Sequence, residues 1–398
     1  MNDRFSKFAV ENYQNSQGYR DFYSEKELHG VEDFIPISGN DVFAGAKELK
    51  NFPGPGYIFA SGGTTGAPKF VFYSEEEFKI TAAMLAKGFS AQGVGAGTVC
   101  ANLFMAGGMW SSFMAVDRAL KKCGAIQLPI GGQTEIAVIA DFLSRFEPSF
   151  VIGLPSLLLT IAEYCQERNI KLIIPKICYA GEHVSKKVAQ TLRELWGTTQ
   201  ILSAGYASVD AGPVGYQCKF LTGTKHHLFS DQVLLEIIEG EGVVTSTVRK
   251  HDPIIRLRTG DRLEVLKDFQ CECKSLDIVF ELLERCDQQI NIWGIRIYVE
   301  EIQKAISRAE LNPLNFQLVV RANPQSGADQ LSILLEKPTH LTSDSASLVK
   351  SELSKINQDL ISHPDQSKMD IILENTSISG FLKIPRTGKV PLIRDLRS

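Results

Sequence analysis

The sequence predicts an α/β protein in two parts. A large amino-terminal domain, 1–286, has mixed sheets and helices with a β-meander subdomain, and a small α+β carboxy-terminal domain spans 287–398. Three observations carry that prediction. Strand-like and helix-like segments alternate through most of the chain. From about residue 228 to 266, strand-like runs follow one another without a helix. After Asp287 a strand–helix–strand pattern arrives with a shift towards Ser, Asp, Asn and Lys. A chain of 398 residues exceeds one ordinary domain, and a carboxy-terminal part of roughly 110 residues falls within the usual domain range.

The elements follow in order. Tyr57-Ile-Phe-Ala is a short apolar run ending at Ser61-Gly-Gly, and Glu75 to Gly88 carries Phe78, Thr81, Ala82 and Leu85 at helical spacing. Phe150 to Gly153 reads as a buried strand, and Pro155 suits the first turn of a helix continuing from Leu157 to Arg168. Lys171-Leu-Ile-Ile and Ile177-Cys-Tyr-Ala read as two more buried strands, the second leading through a turn at Gly181 into a helix from Ser185 to Trp196. Val233 to Ile238, Gly242 to Thr247 and Arg262 to Leu266 form the meander. In the second domain, Val299 to Ala309 is an amphipathic helix, Phe316 to Arg321 and Gln330 to Glu336 are strands, and Ala346 to Ile361 is a second helix.

Composition removes several classes of function. Lys and Arg number 42 against 46 Asp and Glu, a net charge of −4, which leaves no whole-chain basic footprint for nucleic acid. Charged residues at 22% and aromatic residues at 9% argue against disorder. The longest apolar stretch, Phe150 to Ala162, is interrupted by Gly153 and Pro155 and falls short of the roughly 18 residues a membrane-spanning helix needs. The amino terminus continues into polar residues instead of an apolar signal core. Eight scattered cysteines lack the density of a disulfide-stapled domain, so a reducing cytoplasm and free thiols are expected.

The sharpest local signal is Ser61-Gly-Gly-Thr-Thr-Gly-Ala-Pro-Lys69. Gly62, Gly63 and Gly66 allow a tight turn that presents backbone N–H groups to an anion. Ser61, Thr64 and Thr65 add hydroxyl donors, and Lys69 supplies a point charge. The spacing is not that of a Walker A loop. A flexible polar loop is the plain alternative, but glycines and hydroxyls are interleaved too densely for a generic linker.

This string resembles the phosphate loop of the adenylate-forming enzymes (acyl-CoA synthetases, carrier-protein adenylation domains, luciferases), Ser-Ser/Gly-Gly-Thr-Thr-Gly-x-Pro-Lys-Gly, with Phe70 in the last position. Further motifs of that family follow in order. Ala180-Gly-Glu182, with Val184-Ser185, resembles the Ala-Gly-Glu-x-x-Ser segment of the phenylacetate-CoA ligase branch, so Gly181 and Glu182 are expected on the adenine side of an ATP pocket. Gly205-Tyr-Ala-Ser-Val-Asp210 stands where the family has Tyr-Gly-x-Ser/Thr-Glu. The resemblance assigns Gly205 and Tyr206 to the adenine and Asp210 to Mg²⁺. Val209 takes the place of the usual hydroxyl residue, so either Ser208 serves the α-phosphate from one position away or no hydroxyl does.

Arg258-Thr-Gly-Asp261 resembles the family's Thr-Gly-Asp, which gives Asp261 the ribose hydroxyls; its plain alternative is a turn residue after the meander. Glu284 to Arg296 resembles the hinge motif, with Arg285 reaching the ribose and Asp287 as the pivot of a mobile carboxy-terminal lid; Glu284, Gln288 and Asn291 depart from it. Ile384-Pro-Arg-Thr-Gly-Lys389 resembles the terminal Pro-Arg-Ser-x-Gly-Lys, making Lys389 the catalytic lysine that bridges substrate carboxylate and α-phosphate. A lone lysine there would otherwise be a solvated tail.

The resemblance runs from about residue 55 to 395. Leu154-Pro-Ser-Leu-Leu-Leu, Gly212-Pro213 and Gln217-Cys218, with His226 and His227 downstream, are similar to the phenylacetate-CoA ligase-like branch. Within it, the adenylating proteins of phenazine-antibiotic pathways are a closer likeness. Cys218 and His226 also read as zinc-ligand candidates, yet two ligands fall short of a tetrahedral site and Cys271-Glu-Cys273 cannot be joined to them from sequence.

The function implied is ATP- and Mg²⁺-dependent activation of a carboxylic acid as acyl-adenylate, with release of pyrophosphate. The acyl pocket is expected between 102–112 and 203–206; Asn102 to Trp110 combines Phe, Met and Trp with two glycines, which suits a flat aromatic acid, though such a stripe is also ordinary core. Coenzyme A, a carrier-protein thiol or a downstream enzyme are the candidate acceptors. A homodimer is compatible, and nucleic acid or membrane partners are not expected. The rival reading is a nucleotide-binding protein of the same fold without catalysis, which Phe70 and Val209 favour and Lys389, Asp210 and Asp261 oppose.

Overall fold

The computed structural model describes residues 2–23, 27–38, 54–60, 70–182, 184, 186–208, 211–285, 289–292, 295–322, 329–357, 360, 370–383 and 390–397. The chain forms two compact units, one of Met1–Gly181 with Leu192–Arg285 and the other of Glu182–Thr191 with Cys286–Ser398.

The first unit is organised by a five-stranded parallel sheet. In spatial order its strands are Ile126–Leu128, Val99–Asn102, Phe150–Gly153, Lys176–Tyr179 and Gln200–Ser203. The order reverses between the neighbours Val99–Asn102 and Phe150–Gly153, so the carboxyl edge there is a topological switch point of the kind at which open α/β sheets bind ligands. Every residue of Phe150–Gly153 is buried, as an apolar run covered on both faces must be. Helices Ser112–Cys123, Ile136–Phe146 and Pro155–Glu167 connect the strands. Pro155 occupies a first-turn position, where its missing N–H costs nothing.

Helix Glu75–Ala91 starts at a reciprocal cap: Ser74 Oγ accepts from Glu77 N–H, and Glu77 Oε2 accepts from Ser74 N–H at 2.7 Å. The other oxygen of the buried Glu77 carboxylate accepts from Lys250 N–H at 2.7 Å, tying this helix to the second sheet of the unit. That sheet is eight-stranded. Val233–Ile238, Glu241–Ser246, Ile254–Val265 and Val279–Arg285 run antiparallel in sequence order, followed in space by Lys225–Leu228, Gly212–Tyr216 and Tyr206–Ser208. Ile37–Ser38 adds in parallel to Ile254–Val265. The expected β-meander is this run of consecutive antiparallel strands.

In the second unit, Phe316–Ala322 and Asp329–Glu336 pair antiparallel at the centre of a four-stranded sheet, flanked in parallel by Ile393–Asp395 and Asp370–Thr376. Helix Val299–Arg308 buries Val299, Ile302, Ala305 and Ile306 along one stripe. Together with Val349 and Leu353 of helix Ser345–Ile356, it closes a core with Leu318, Val320, Leu331 and Ile333.

Some readings from the sequence need correction. Lys171–Ile174 is not a strand: Leu172 and Ile174 are buried but Ile173 is 73% exposed, and Ile174 N–H donates to the helix-end carbonyl of Trp196. The sheet position beside Lys176–Tyr179 is already filled by Gln200–Ser203, so the segment has no ladder to join. Phe70–Ser74, which the pattern beside the loop motif does not mark, is a strand paired with Gly56–Ala60. Helices Asn2–Asn12 and Gln17–Tyr23 are likewise unmarked by pattern, although Tyr19 and Tyr23 are fully buried against Phe34. Seven described cysteines are free thiols, and among the described residues no helix is long and apolar enough to cross a membrane.

Candidate active site

Strand Gln200–Ser203 ends at the carboxyl edge of the parallel sheet, and the chain turns immediately into the antiparallel one. Gly205 makes that turn. Its φ of +135° is a region L side chains rarely adopt, and a Cβ there would lie 2.5 Å from Gly215 O. Only glycine lets the backbone pass this close to strand Gly212–Tyr216. The turn is then held by a relay of polar groups. His226 Nδ1–H faces Thr224 O at 2.9 Å, which leaves Nε2 to accept from the Ser203 hydroxyl at 3.1 Å. Ser203 Oγ in turn accepts Gly205 N–H at 3.1 Å. Burial pushes His226 down to about 4, so the neutral imidazole is the form that plays both roles. Two buried amides complete the support: Gln217 Oε1 accepts Ser203 N–H at 2.6 Å, and Gln92 Nε2 donates to Ser203 O at 2.7 Å.

Tyr206 follows the turn. Its ring packs edge-on against Phe280, which also stacks with His226, and its hydroxyl donates to Asp261 Oδ2. Asp261 stands on the long strand Ile254–Val265 instead of in a turn after the meander, which corrects the plain alternative. Gly260, at φ +76°, and a register shift between Asp261 and Leu263 form a bulge that re-aims the side chain. Glu241 fixes the bulge by accepting Gly260 N–H at 2.9 Å and Arg258 Nη1 at 2.5 Å. Asp261 as a whole is only 7% exposed, so its carboxylate depends on hydrogen-bond donors such as Tyr206.

The remaining expected residues divide plainly. Arg285 is the backbone partner of Asp261 at the end of strand Val279–Arg285; its side chain is outside the described residues. Ser208 ends the short strand Tyr206–Ser208, with its Oγ accepting Ala211 N–H at 2.9 Å. Gly181, at φ +83°, closes the stretch after strand Lys176–Tyr179. Glu182 belongs to the second unit, where it accepts Val390 N–H at 3.0 Å. Ser61, Gly62, Gly63, Thr64, Thr65, Gly66, Lys69, Asp210, Asp287 and Lys389 lie outside the described residues. The stretch 61–69 joins the paired ends Ala60 and Phe70.

Asn102, Leu103 and Phe104 leave the same carboxyl edge as Ser203. Leu103 and Phe104 are core, and Asn102 is a buried turn-former, donating to Phe113 O at 3.1 Å and accepting Phe104 N–H at 3.2 Å. Met109 is 41% exposed. The reading of His226 as a zinc-ligand candidate beside Cys218 is corrected: on strand Lys225–Leu228 side chains alternate, and His226 faces Ser203 and Phe280 while its neighbour His227 takes the other face. The Ser203–His226–Gln217–Gln92 support is not legible in the sequence; the Gln217-Cys218 and His226-His227 strings are its only trace.

Among solved structures, 2-hydroxyisobutyryl-CoA ligase in the postadenylation state with its acyl-AMP shares this fold at a TM-score of 0.75 and 16% identity, covering 99% of this chain and 88% of that one. Among curated proteins, the phenylacetate-coenzyme A ligase of Thermus thermophilus is 23% identical over 365 residues, covering 84% of this chain and 81% of its own. The indoleacetate–lysine synthetase of Pseudomonas savastanoi is 23% identical over 325 residues, covering 79% and 78%. No family model matches the chain. The chain thus has the fold of these ligases and is similar over about four fifths of its length to phenylacetate-coenzyme A ligases.

Proposed function

We propose that this ligase activates an aromatic carboxylic acid with ATP and passes the acyl group to coenzyme A, in the assembly of a secondary metabolite such as an antibiotic. The observation that carries the nucleotide part is the Tyr206–Asp261 hydrogen bond. Two residues 55 apart in sequence, assigned separately to the adenine and ribose, meet beside a strained glycine turn.

In the proposed reaction, the ribose hydroxyls donate to Asp261 with Arg285 alongside, and the adenine lies by Gly181, Glu182, Gly205 and Tyr206. The segment from Ser61 to Lys69 cradles the phosphates. Asp210 would hold Mg²⁺, which neutralises charge on the departing pyrophosphate. The substrate carboxylate attacks the α-phosphorus, forming the acyl–phosphate bond as the bond to pyrophosphate breaks. Lys389 stabilises the charge developing between them. Positioning and preorganised charge supply most of the rate. Met105, Met109 and Trp110 on the 102–110 segment support an aromatic acid, and the relatives named for phenylacetate and indoleacetate agree with that class.

The test is mass-spectrometric detection of the acyl-adenylate on incubation with ATP, Mg²⁺ and panels of aromatic, aliphatic and amino acids, followed by addition of coenzyme A. An aromatic acyl-AMP that converts to its thioester is expected. Adenylates of aliphatic acids alone would overturn the substrate class, and an adenylate that persists with coenzyme A would move the acceptor to a carrier protein or another enzyme.

A further inference from the structure

Away from the Tyr206–Asp261 pair in sequence, four potential ligand side chains of the first unit converge. They are Cys218, just past strand Gly212–Tyr216; His227, on strand Lys225–Leu228; and Cys271 and Cys273, in the loop before strand Val279–Arg285. One ligand atom of each lies within 4.8 Å of all the others. Cys218 Sγ is 3.5 Å from Cys271 Sγ, and Cys273 Sγ is 3.2 Å from His227 Nε2. A tetrahedral zinc with bonds of about 2.3 Å to sulfur and 2.0 Å to nitrogen sets edges of about 3.8 Å between sulfurs and 3.5 Å between sulfur and nitrogen. These two edges would lengthen by a few tenths of an ångström around the ion, and no other pair of ligand atoms is more than 4.8 Å apart.

From these four side chains we infer a structural zinc site of three thiolates and one imidazole, independent of the proposed reaction. The surroundings have the features such a site requires. Cys218 and His227 are fully buried, Cys271 is buried and Cys273 half-buried, and Leu221 and Val279 pack against the thiols. Backbone N–H groups point at sulfur: Cys273 N–H towards Cys271 Sγ, and Ser275 N–H towards Cys273 Sγ at 3.5 Å. The other imidazole nitrogen, Nδ1, faces Asp277 O at 3.5 Å, the arrangement that directs Nε2 to a metal. Lys274, at φ +60°, closes the tight turn that brings Cys271 and Cys273 to one side.

Four protein ligands leave no open position, so the ion would be a staple and not a catalyst. It would pin the loop 266–278 to strands Gly212–Tyr216 and Lys225–Leu228. The first of these pairs with the strand of Tyr206, and Val279–Arg285 pairs with the strand of Asp261. Three neighbouring thiols without a metal would instead be candidates for a Cys218–Cys271 disulfide, and the test distinguishes the two.

The experiment is metal analysis of the full chain, purified without a histidine tag, by inductively coupled plasma mass spectrometry. About one zinc per chain is expected, falling below about one per ten chains in the Cys271→Ser/Cys273→Ser double variant. To guard against loss of the fold in that variant, the unaltered chain is also stripped with a zinc chelator and reloaded with Co²⁺. Sulfur-to-cobalt charge-transfer absorption with the intense visible bands of a tetrahedral site is expected, and melting at lower temperature in the stripped state. Folded wild-type chain with no zinc and no such bands on cobalt addition would overturn the inference. So would full zinc in a folded double variant, or an intact mass showing loss of two thiol hydrogens.

Discussion

Replacing Gly205 by Ala places the largest demand on the geometry of the candidate site. The new Cβ would lie 2.5 Å from Gly215 O, where ordinary contact begins at 3.4 Å, and the backbone at φ +135° is a conformation alanine rarely adopts. A strained backbone of this type costs about 1–3 kcal/mol, and an overlap with neighbouring backbone adds a similar amount, giving about 2–6 kcal/mol in all. If the turn yields to relieve it, Tyr206 shifts from Asp261. A hydrogen bond to a charged group is worth about 1.5–3 kcal/mol, so kcat/KM for ATP should fall about 10- to 100-fold. The assay pairs thermal unfolding with adenylation kinetics, using Gly97→Ala as the comparison. Gly97 also has a positive φ, +80°, but no atom lies within 4 Å of its added Cβ. A Gly205→Ala protein with the melting temperature and ATP kinetics of Gly97→Ala would refute the reasoning.

Other substitutions probe the neighbouring links. Gln217→Leu leaves Ser203 N–H and the carbonyls of Gly223 and Lys225 without their side-chain partner, which should cost about 2–5 kcal/mol in urea unfolding. Tyr206→Phe should raise the KM for ATP about tenfold and lower the melting temperature modestly, because the ring keeps its packing on Phe280 while the buried Asp261 loses a donor. Asp261→Ala should weaken ATP binding, measured by calorimetry, by about tenfold or more, and the effect should shrink for a 2′,3′-dideoxy nucleotide that has no ribose hydroxyls to offer. Lys389→Ala should abolish adenylation and spare ATP binding; equal impairment of both would remove its assigned role.

Local patterns in the sequence are enough for the meander and for two strands of the parallel sheet, Phe150–Gly153 and Lys176–Tyr179. Phe150–Gly153 is a four-residue apolar run, and Val233–Ile238 an apolar strand bounded by turn residues. Of the nucleotide motifs, the pair that meets in the described residues is Tyr206 and Asp261. What local pattern cannot supply is which strand a segment will find. Lys171–Ile174 has strand-like composition but no vacant partner, and Phe70–Ser74 pairs back across the loop motif onto Gly56–Ala60. Asp261 resembles a turn residue because its bulge is fixed by Glu241, twenty residues earlier on another strand. His226 and His227 look equivalent in sequence and differ only in the face of the strand they occupy. The register His227↔Val279 then brings the Cys271 loop beside Cys218, a meeting set by sheet topology.

The central claim is acyl-adenylate formation, and carboxylate-dependent exchange of labelled pyrophosphate into ATP tests it most directly, because it needs neither the acceptor nor the second half-reaction. With Mg²⁺ and a panel of acids, exchange that depends on an aromatic acid and disappears in Lys389→Ala is the result predicted. Absence of exchange with every acid, from protein that binds ATP, would contradict the account and leave a nucleotide-binding protein of the same fold.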